Sequence, residues 1–107
     1  MIKQIHPNEL KAMLDLGQKV YLVDVRQPWE HEICALPQSH LVPLGELAAR
    51  ADEIAPPAGA LVVAYCHHGV RSLNAAALLA RLGHDAASLA GGIDAWSLQI
   101  DPKLPRY

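Results

Sequence analysis

The sequence predicts an α/β domain built on a central, mainly parallel sheet with helices on both faces. Three observations carry this. Two continuous apolar runs, residues 20–23 and 61–65, contain β-branched residues and read as strands buried on both sides. Segments with helical apolar spacing alternate with them. Hydrophobic residues make up 51% of the 107, enough for a core in one domain spanning residues 1–107.

The elements follow in order. Residues 8–16 place Leu10, Met13 and Leu14 on one helical stripe, with Pro7 suited to the first turn and Gly17 to the stop. The strand at 20–23 runs into Asp24-Val25-Arg26. Leu41 and Val42 form a short strand closed by Pro43. A helix is expected over 44–54, with Leu44, Leu47, Ala51 and Ile54 on one stripe and Glu46 and Arg50 on the wet side. Pro56-Pro57-Ala58-Gly59 turns the chain into the strand at 61–65, and a helix follows over 73–82, stopped by Gly83. Residues 87–89 make a last strand. Gly91-Gly92 opens a final helix containing Trp96, and the chain after Gln99 reads as irregular.

Charge and composition exclude several functions. The formal net charge is −2 and the basic residues are scattered, so no stripe suits a nucleic-acid backbone. No apolar stretch reaches the length of a membrane span, and residues 1–7 lack the apolar core of a secretion signal. Two cysteines without framework spacing favour a reducing, cytoplasmic compartment.

The chemistry concentrates in Cys66-His67-His68-Gly69-Val70-Arg71-Ser72, a tight turn from strand to helix. In parallel sheets ligands bind at the carboxyl ends of strands, where Cys66 falls. A helix N-terminus and nearby cations favour a thiolate. The loop amides can turn inward around the sulfur, Ser72 is a good N-cap residue, and Gly69 permits a conformation that a side chain resists. Arg71 offers a forked cation, and the imidazoles of His67 and His68 can add positive charge or transfer a proton. The alternative is an inert buried cysteine, which is the reading for Cys34. Zinc on Cys66, His67 and His68 is not expected, because adjacent residues converge poorly on one tetrahedral centre. Asp24 is equally a strand-end cap or a partner of the loop. Arg26 and Glu30 read as a local ion pair, Trp29 and Trp96 as core anchors, and His6, His31, His40 and His84 as surface or hydrogen-bonded residues.

Four blocks in order resemble the rhodanese-like sulfurtransferase family. They are Asp24-Val25-Arg26 with Glu30, then Leu36-Pro37 with Val42-Pro43, then the Cys-x-x-Gly-x-Arg-Ser loop at 66–72, and last Gly91-Gly92-Ile93 with Ala95-Trp96. The resemblance implies a three-layer rhodanese domain and a two-step covalent cycle without a cofactor or metal. Cys66 takes the outer sulfur of a small donor such as thiosulfate, then passes it to cyanide, a thiol or a carrier protein. Arg71 and the loop histidines are implied to hold the donor or orient the loop, with Asp24 and Arg26 as possible support. Related phosphatases of this fold place five residues between cysteine and arginine; here four lie between Cys66 and Arg71, and the smaller ring favours sulfur over a phosphoryl group. A cysteine phosphatase or arsenate reductase is therefore disfavoured. A rhodanese-type binding module with little catalysis is the other alternative, and the intact cysteine counts against it. Two departures stand out. Residues 34–39 lack the two glycines and the histidine often found in the second block, which concerns the local turn. His67 and His68 replace fixed cations present in some thiosulfate-active members, which implies a weak thiosulfate donor.

Overall fold

A computed structural model describes residues 2–107. Five strands form one sheet: β1 (Gln4–Ile5), β2 (Val20–Asp24), β3 (His40–Leu41), β4 (Leu61–Tyr65) and β5 (Ala86–Leu89). Their order is β1-β5-β4-β2-β3 and every neighbouring pair is parallel. Four α-helices accompany them: α1 (Pro7–Asp15), α2 (Pro28–Ile33), α3 (Arg71–Arg81) and α4 (Gly92–Gln99). The predicted architecture holds.

Side-chain alternation along the central strand divides the core. Leu61, Val63 and Tyr65 pack with Leu10 of α1 and with Ile93 and Trp96 of α4. Val62, Ala64 and Cys66 face the other way, against Ala75 and Leu79 of α3. Every residue of β4 is buried, as a strand covered on both faces must be. From β2 the chain moves outward to β3, and from β4 it moves outward the other way to β5. The strand order therefore reverses between β2 and β4, and in open parallel sheets ligands bind beyond the carboxyl ends of strands at such a point.

Several local expectations are corrected. Residues 44–54 form two short 3₁₀ turns, Leu44–Glu46 and Ala51–Glu53, rather than one helix. Leu47 and Ile54 are still buried, so the apolar stripe is satisfied by packing against the sheet without a continuous α ladder. The α2 helix was not anticipated, although its signals are local: Pro28 at the first position, and Glu30 accepting from the Gln27 N–H at 3.0 Å. Trp29 is 59% exposed and is not a core anchor, whereas Trp96 is buried. In the glycine-poor block, Gln38 takes the left-handed conformation (φ 62°) that a glycine tolerates more easily. The Ser39 N–H and hydroxyl both donate to the Leu36 carbonyl and close that turn.

Candidate active site

Cys66 leaves the end of β4 on the α3 face and is only 1% exposed. Its Sγ accepts the Gly69 N–H at 3.1 Å and the Ser72 N–H at 3.4 Å, and lies 3.5 Å from the Ser72 hydroxyl. Two amides converging on one sulfur suit an anionic sulfur species. Gly69 sits at φ 98°, and a Cβ there would meet the Gly91 nitrogen at 3.0 Å. Only glycine fits both demands.

Ser72 is not the N-cap that its type suggests. Val70 precedes the helix, α3 begins at Arg71, and Ser72 is buried at its second position. The Cys66 sulfur accepts the amide that a capping oxygen would otherwise take. This frees the Ser72 hydroxyl to bond the Ser88 hydroxyl of β5 at 2.7 Å.

The start of α4 holds the loop from behind. The Ile93 N–H donates to the Cys66 carbonyl at 2.9 Å, and the Asp94 N–H to the His67 carbonyl at 3.1 Å. Two loop carbonyls are thus tied to a helix N-terminus, while the Gly69 and Ser72 amides are left to the sulfur. Gly92 allows this approach: a Cβ there would lie 2.5 Å from the Cys66 oxygen and 2.4 Å from the His67 oxygen, at a φ of +64°. Gly92→Ala is expected to lower unfolding free energy by about 3 kcal/mol through clash and strain, read by urea denaturation. A loss below about 1 kcal/mol would contradict this close contact.

The facing wall comes from the end of β2. Arg26 is fully buried and forks onto Asp24, with Nε to Oδ1 at 2.8 Å and Nη2 to Oδ2 at 2.6 Å. It also donates to the Cys34 carbonyl at 2.6 Å and to the Tyr107 hydroxyl at 2.9 Å. Burial opposes its charge, but the bonds to Asp24 and Tyr107 outweigh this and raise its pKa above the ordinary value. Asp24 also pairs with His31, whose Nδ1 lies 2.7 Å from Oδ2.

Arg26 does not pair with the Glu30 carboxylate as the local spacing suggests. Glu30 is instead clamped by both Arg71 nitrogens, at 2.7 and 2.9 Å, and by the Tyr107 hydroxyl at 2.6 Å. Helix α2 brings the Glu30 side chain to Arg71 and Tyr107, leaving Arg26 to satisfy Asp24. The Arg71 bonds and the Tyr107 hydroxyl overcome burial and bring the Glu30 pKa from 4.5 down to about 2. Because the folded value is the lower one, this stabilisation is complete above about pH 4.5 and lost as pH falls towards 2. The stability difference between wild type and Glu30→Gln should therefore shrink by roughly 3 kcal/mol between about pH 5 and pH 2, measured by urea unfolding. A difference that is constant with pH would contradict the clamp.

Four aromatic rings run in series past the loop. Trp29 meets Tyr107 edge-on at 5.9 Å, Tyr107 stacks on His67 at 3.9 Å, and His67 stacks on His68 at 3.9 Å. Burial, followed by the neighbouring His68, lowers the His67 pKa and favours its neutral ring. His68 Nε2 lies 3.8 Å from Asp94, which Arg106 already holds at 2.8 Å. His67, His68 and Asp94 are the one cluster of metal-ligating type among the described residues.

All the expected loop residues therefore lie together, and Asp24 and Arg26 buttress the opposite wall. Val70 is 71% exposed at the rim. Sequence reasoning misses Tyr107, Ser88 and the Glu30–Arg71 bond; it singles out Glu30 and Arg71, but not as partners. Cys34 is a free, buried cysteine packed on the face of the sheet opposite to Cys66.

The site is thus a cysteine cradled by two amides at the strand-order reversal of a parallel α/β sheet. Residues 6–99 match the Rhodanese-like domain, and the chain belongs to the rhodanese-like family. It is 38% identical over 104 residues to the "Probable adenylyltransferase/sulfurtransferase MoeZ" of Mycobacterium tuberculosis, covering 96% of this chain and 26% of that protein. The chain thus spans about a quarter of the length of that curated relative. The rhodanese-like domain protein from Staphylococcus aureus superposes with a TM-score of 0.82 at 28% identity, covering 99% of each chain. The thiosulfate sulfurtransferase from Pseudomonas aeruginosa gives 0.78 at 27% identity over 91% of this chain and 19% of its own. Sulfurtransferases are therefore among its relatives. Among the described residues no helix is long and apolar enough to cross a membrane.

Proposed function

We propose that this domain is a sulfurtransferase that carries a sulfane sulfur as a persulfide on Cys66. The observation that carries this reading is the convergence of the Gly69 and Ser72 amides on Cys66 Sγ within a loop of four intervening residues. The thiolate attacks the outer sulfur of the donor. The new S–S bond forms as the donor's own S–S bond breaks, and the electron pair leaves with sulfite when the donor is thiosulfate. An acceptor nucleophile (cyanide, a thiol or a carrier protein) then attacks the outer sulfur of the persulfide and returns Cys66 to the thiolate. The inward amides stabilise negative charge on the adduct as an oxyanion hole does.

Arg71 supports this reading over phosphatase chemistry, since both its terminal nitrogens are taken up by the Glu30 carboxylate. A reducing compartment such as the cytoplasm suits the two free thiols. The test is steady-state formation of thiocyanate from cyanide and a sulfane-sulfur donor. Parallel double-reciprocal lines are expected for a two-step covalent cycle. Absence of turnover with every such donor would overturn the reading.

A further inference from the structure

Two buried hydroxyls stand in line with the Cys66 sulfur. Side chains alternate along β5, so Ser88 shares with Ala86 the face that packs on α3, while Ala87 and Leu89 join the other core layer. Ser72 and Ser88 are both fully buried, and their oxygens lie 2.7 Å apart. Ser72 Oγ is in turn 3.5 Å from Cys66 Sγ. Among the described residues the Ser88 hydroxyl bonds to Ser72 alone. Ser88 belongs to none of the four sequence blocks that carry the family resemblance.

Each hydroxyl has one proton to give. When Cys66 is a thiol, its S–H points to Ser72, and Ser72 can donate to Ser88. A thiolate only accepts, so Ser72 then turns its proton to the sulfur. It keeps the 2.7 Å contact only if Ser88 donates to it. The bonds then run from Ser88 O–H to Ser72 O–H to the Cys66 sulfur, each polarising the next.

We propose that Ser88 is a positioning residue: its hydroxyl holds and polarises the Ser72 hydroxyl as a donor to Cys66 Sγ when that sulfur leaves as a thiolate. This rests on the persulfide reading above and assigns a group that assists its second half. In discharge the acceptor bonds to the outer sulfur, the bond from that sulfur to Sγ breaks, and its electron pair stays on Sγ. With cyanide, the persulfide anion and CN⁻ become the Cys66 thiolate and SCN⁻, so atoms and charge balance. Negative charge grows on Sγ, where the Gly69 and Ser72 amides and the Ser72 hydroxyl meet. In loading the charge leaves Sγ instead, so the same donor gives the attacking thiolate no help.

The experiment follows the two halves separately at about pH 9.5, above the ordinary range of thiol ionisation. Each protein is loaded from thiosulfate and, separately, from cysteine persulfide, checked by intact mass, freed of donor and mixed with cyanide in a single turnover. Ser88→Ala should discharge about fivefold more slowly, the scale of a hydrogen bond to a charged group, while its loading slows by no more than about twofold. Ser88→Thr, which keeps the hydroxyl, should discharge within about twofold of wild type. In a Ser72→Ala background, Ser88→Ala should cost no further discharge rate, because it acts only through Ser72. Should Ser88→Ala fail to fold, Ser88→Cys, a weak donor of similar volume, takes its place with the same expected slowing. Discharge at the wild-type rate, equal slowing of both halves, or losses that add in the double variant overturn the role of Ser88 and leave sulfur transfer standing. Wild-type Cys66 that takes sulfur from neither donor overturns the persulfide reading itself.

Discussion

Cys66→Ala is expected to abolish sulfur transfer, with kcat/KM falling by on the order of 10³-fold or more, while Cys34→Ala retains most of it. The asymmetry follows from where the two thiols lie. Cys66 ends the β4 face that packs on α3 and receives two loop amides at its sulfur. Cys34 belongs to the other core layer, beside Leu36 and Tyr65. Its sulfur sees only an Arg26 nitrogen at 4.0 Å, and its carbonyl is the group that Arg26 binds closely. Cys34→Ala removes a small buried side chain and costs stability rather than chemistry. Thiocyanate formation by the two purified variants checks this. Equal losses in both would overturn the structural assignment of Cys34.

The second large effect concerns folding. Arg26→Met is expected to lower unfolding free energy by roughly 3–5 kcal/mol, because it strands the Asp24 carboxylate without its buried counter-charge. Both side chains are wholly inaccessible to solvent. The variant also removes donors from the Cys34 and Glu30 carbonyls and from the Tyr107 hydroxyl. Asp24→Asn combined with Arg26→Met should lose less than the two single losses added, since no lone charge is then buried. Urea denaturation of the three variants measures both effects. A loss under about 1 kcal/mol for Arg26→Met would contradict the buried pair.

What the sequence made legible and what it concealed divide along the range of the interactions. The β4 run and the cysteine loop are readable because burial on both faces and a tight strand-to-helix turn leave local signatures in residues 61–72. Helix α2 has only six residues, too few to show a period, and it stands on its cap and on tertiary contacts. The stripe at 44–54 predicts which side chains are buried but not the hydrogen-bond pattern, since 3₁₀ turns can bury the same side chains. Glu30 lies four residues from Arg26, yet its partner Arg71 is 41 residues away and no sequence period reports that. Tyr107 is the extreme case. It closes the wall through contacts with Glu30, Arg26 and His67 from an irregular segment without any pattern of its own.

Through these long-range contacts the core, the two walls and the loop act as one device. The Asp24–Arg26 pair fixes the turn after β2, that turn leads into α2, and α2 presents Glu30 to Arg71 at the first position of α3. On the other side α4 ties the Cys66 and His67 carbonyls. The sulfur is held between them with its amide donors in place before any donor arrives.

The most direct measurement is the mass of the intact protein after exposure to a sulfane-sulfur donor, with the modified residue located by peptide mapping. The predicted result is the gain of one sulfur atom on Cys66, removed on adding cyanide, and no gain in Cys66→Ala. A sulfur atom found on Cys34 instead, or an unmodified chain with both persulfide and thiosulfate donors, would contradict it.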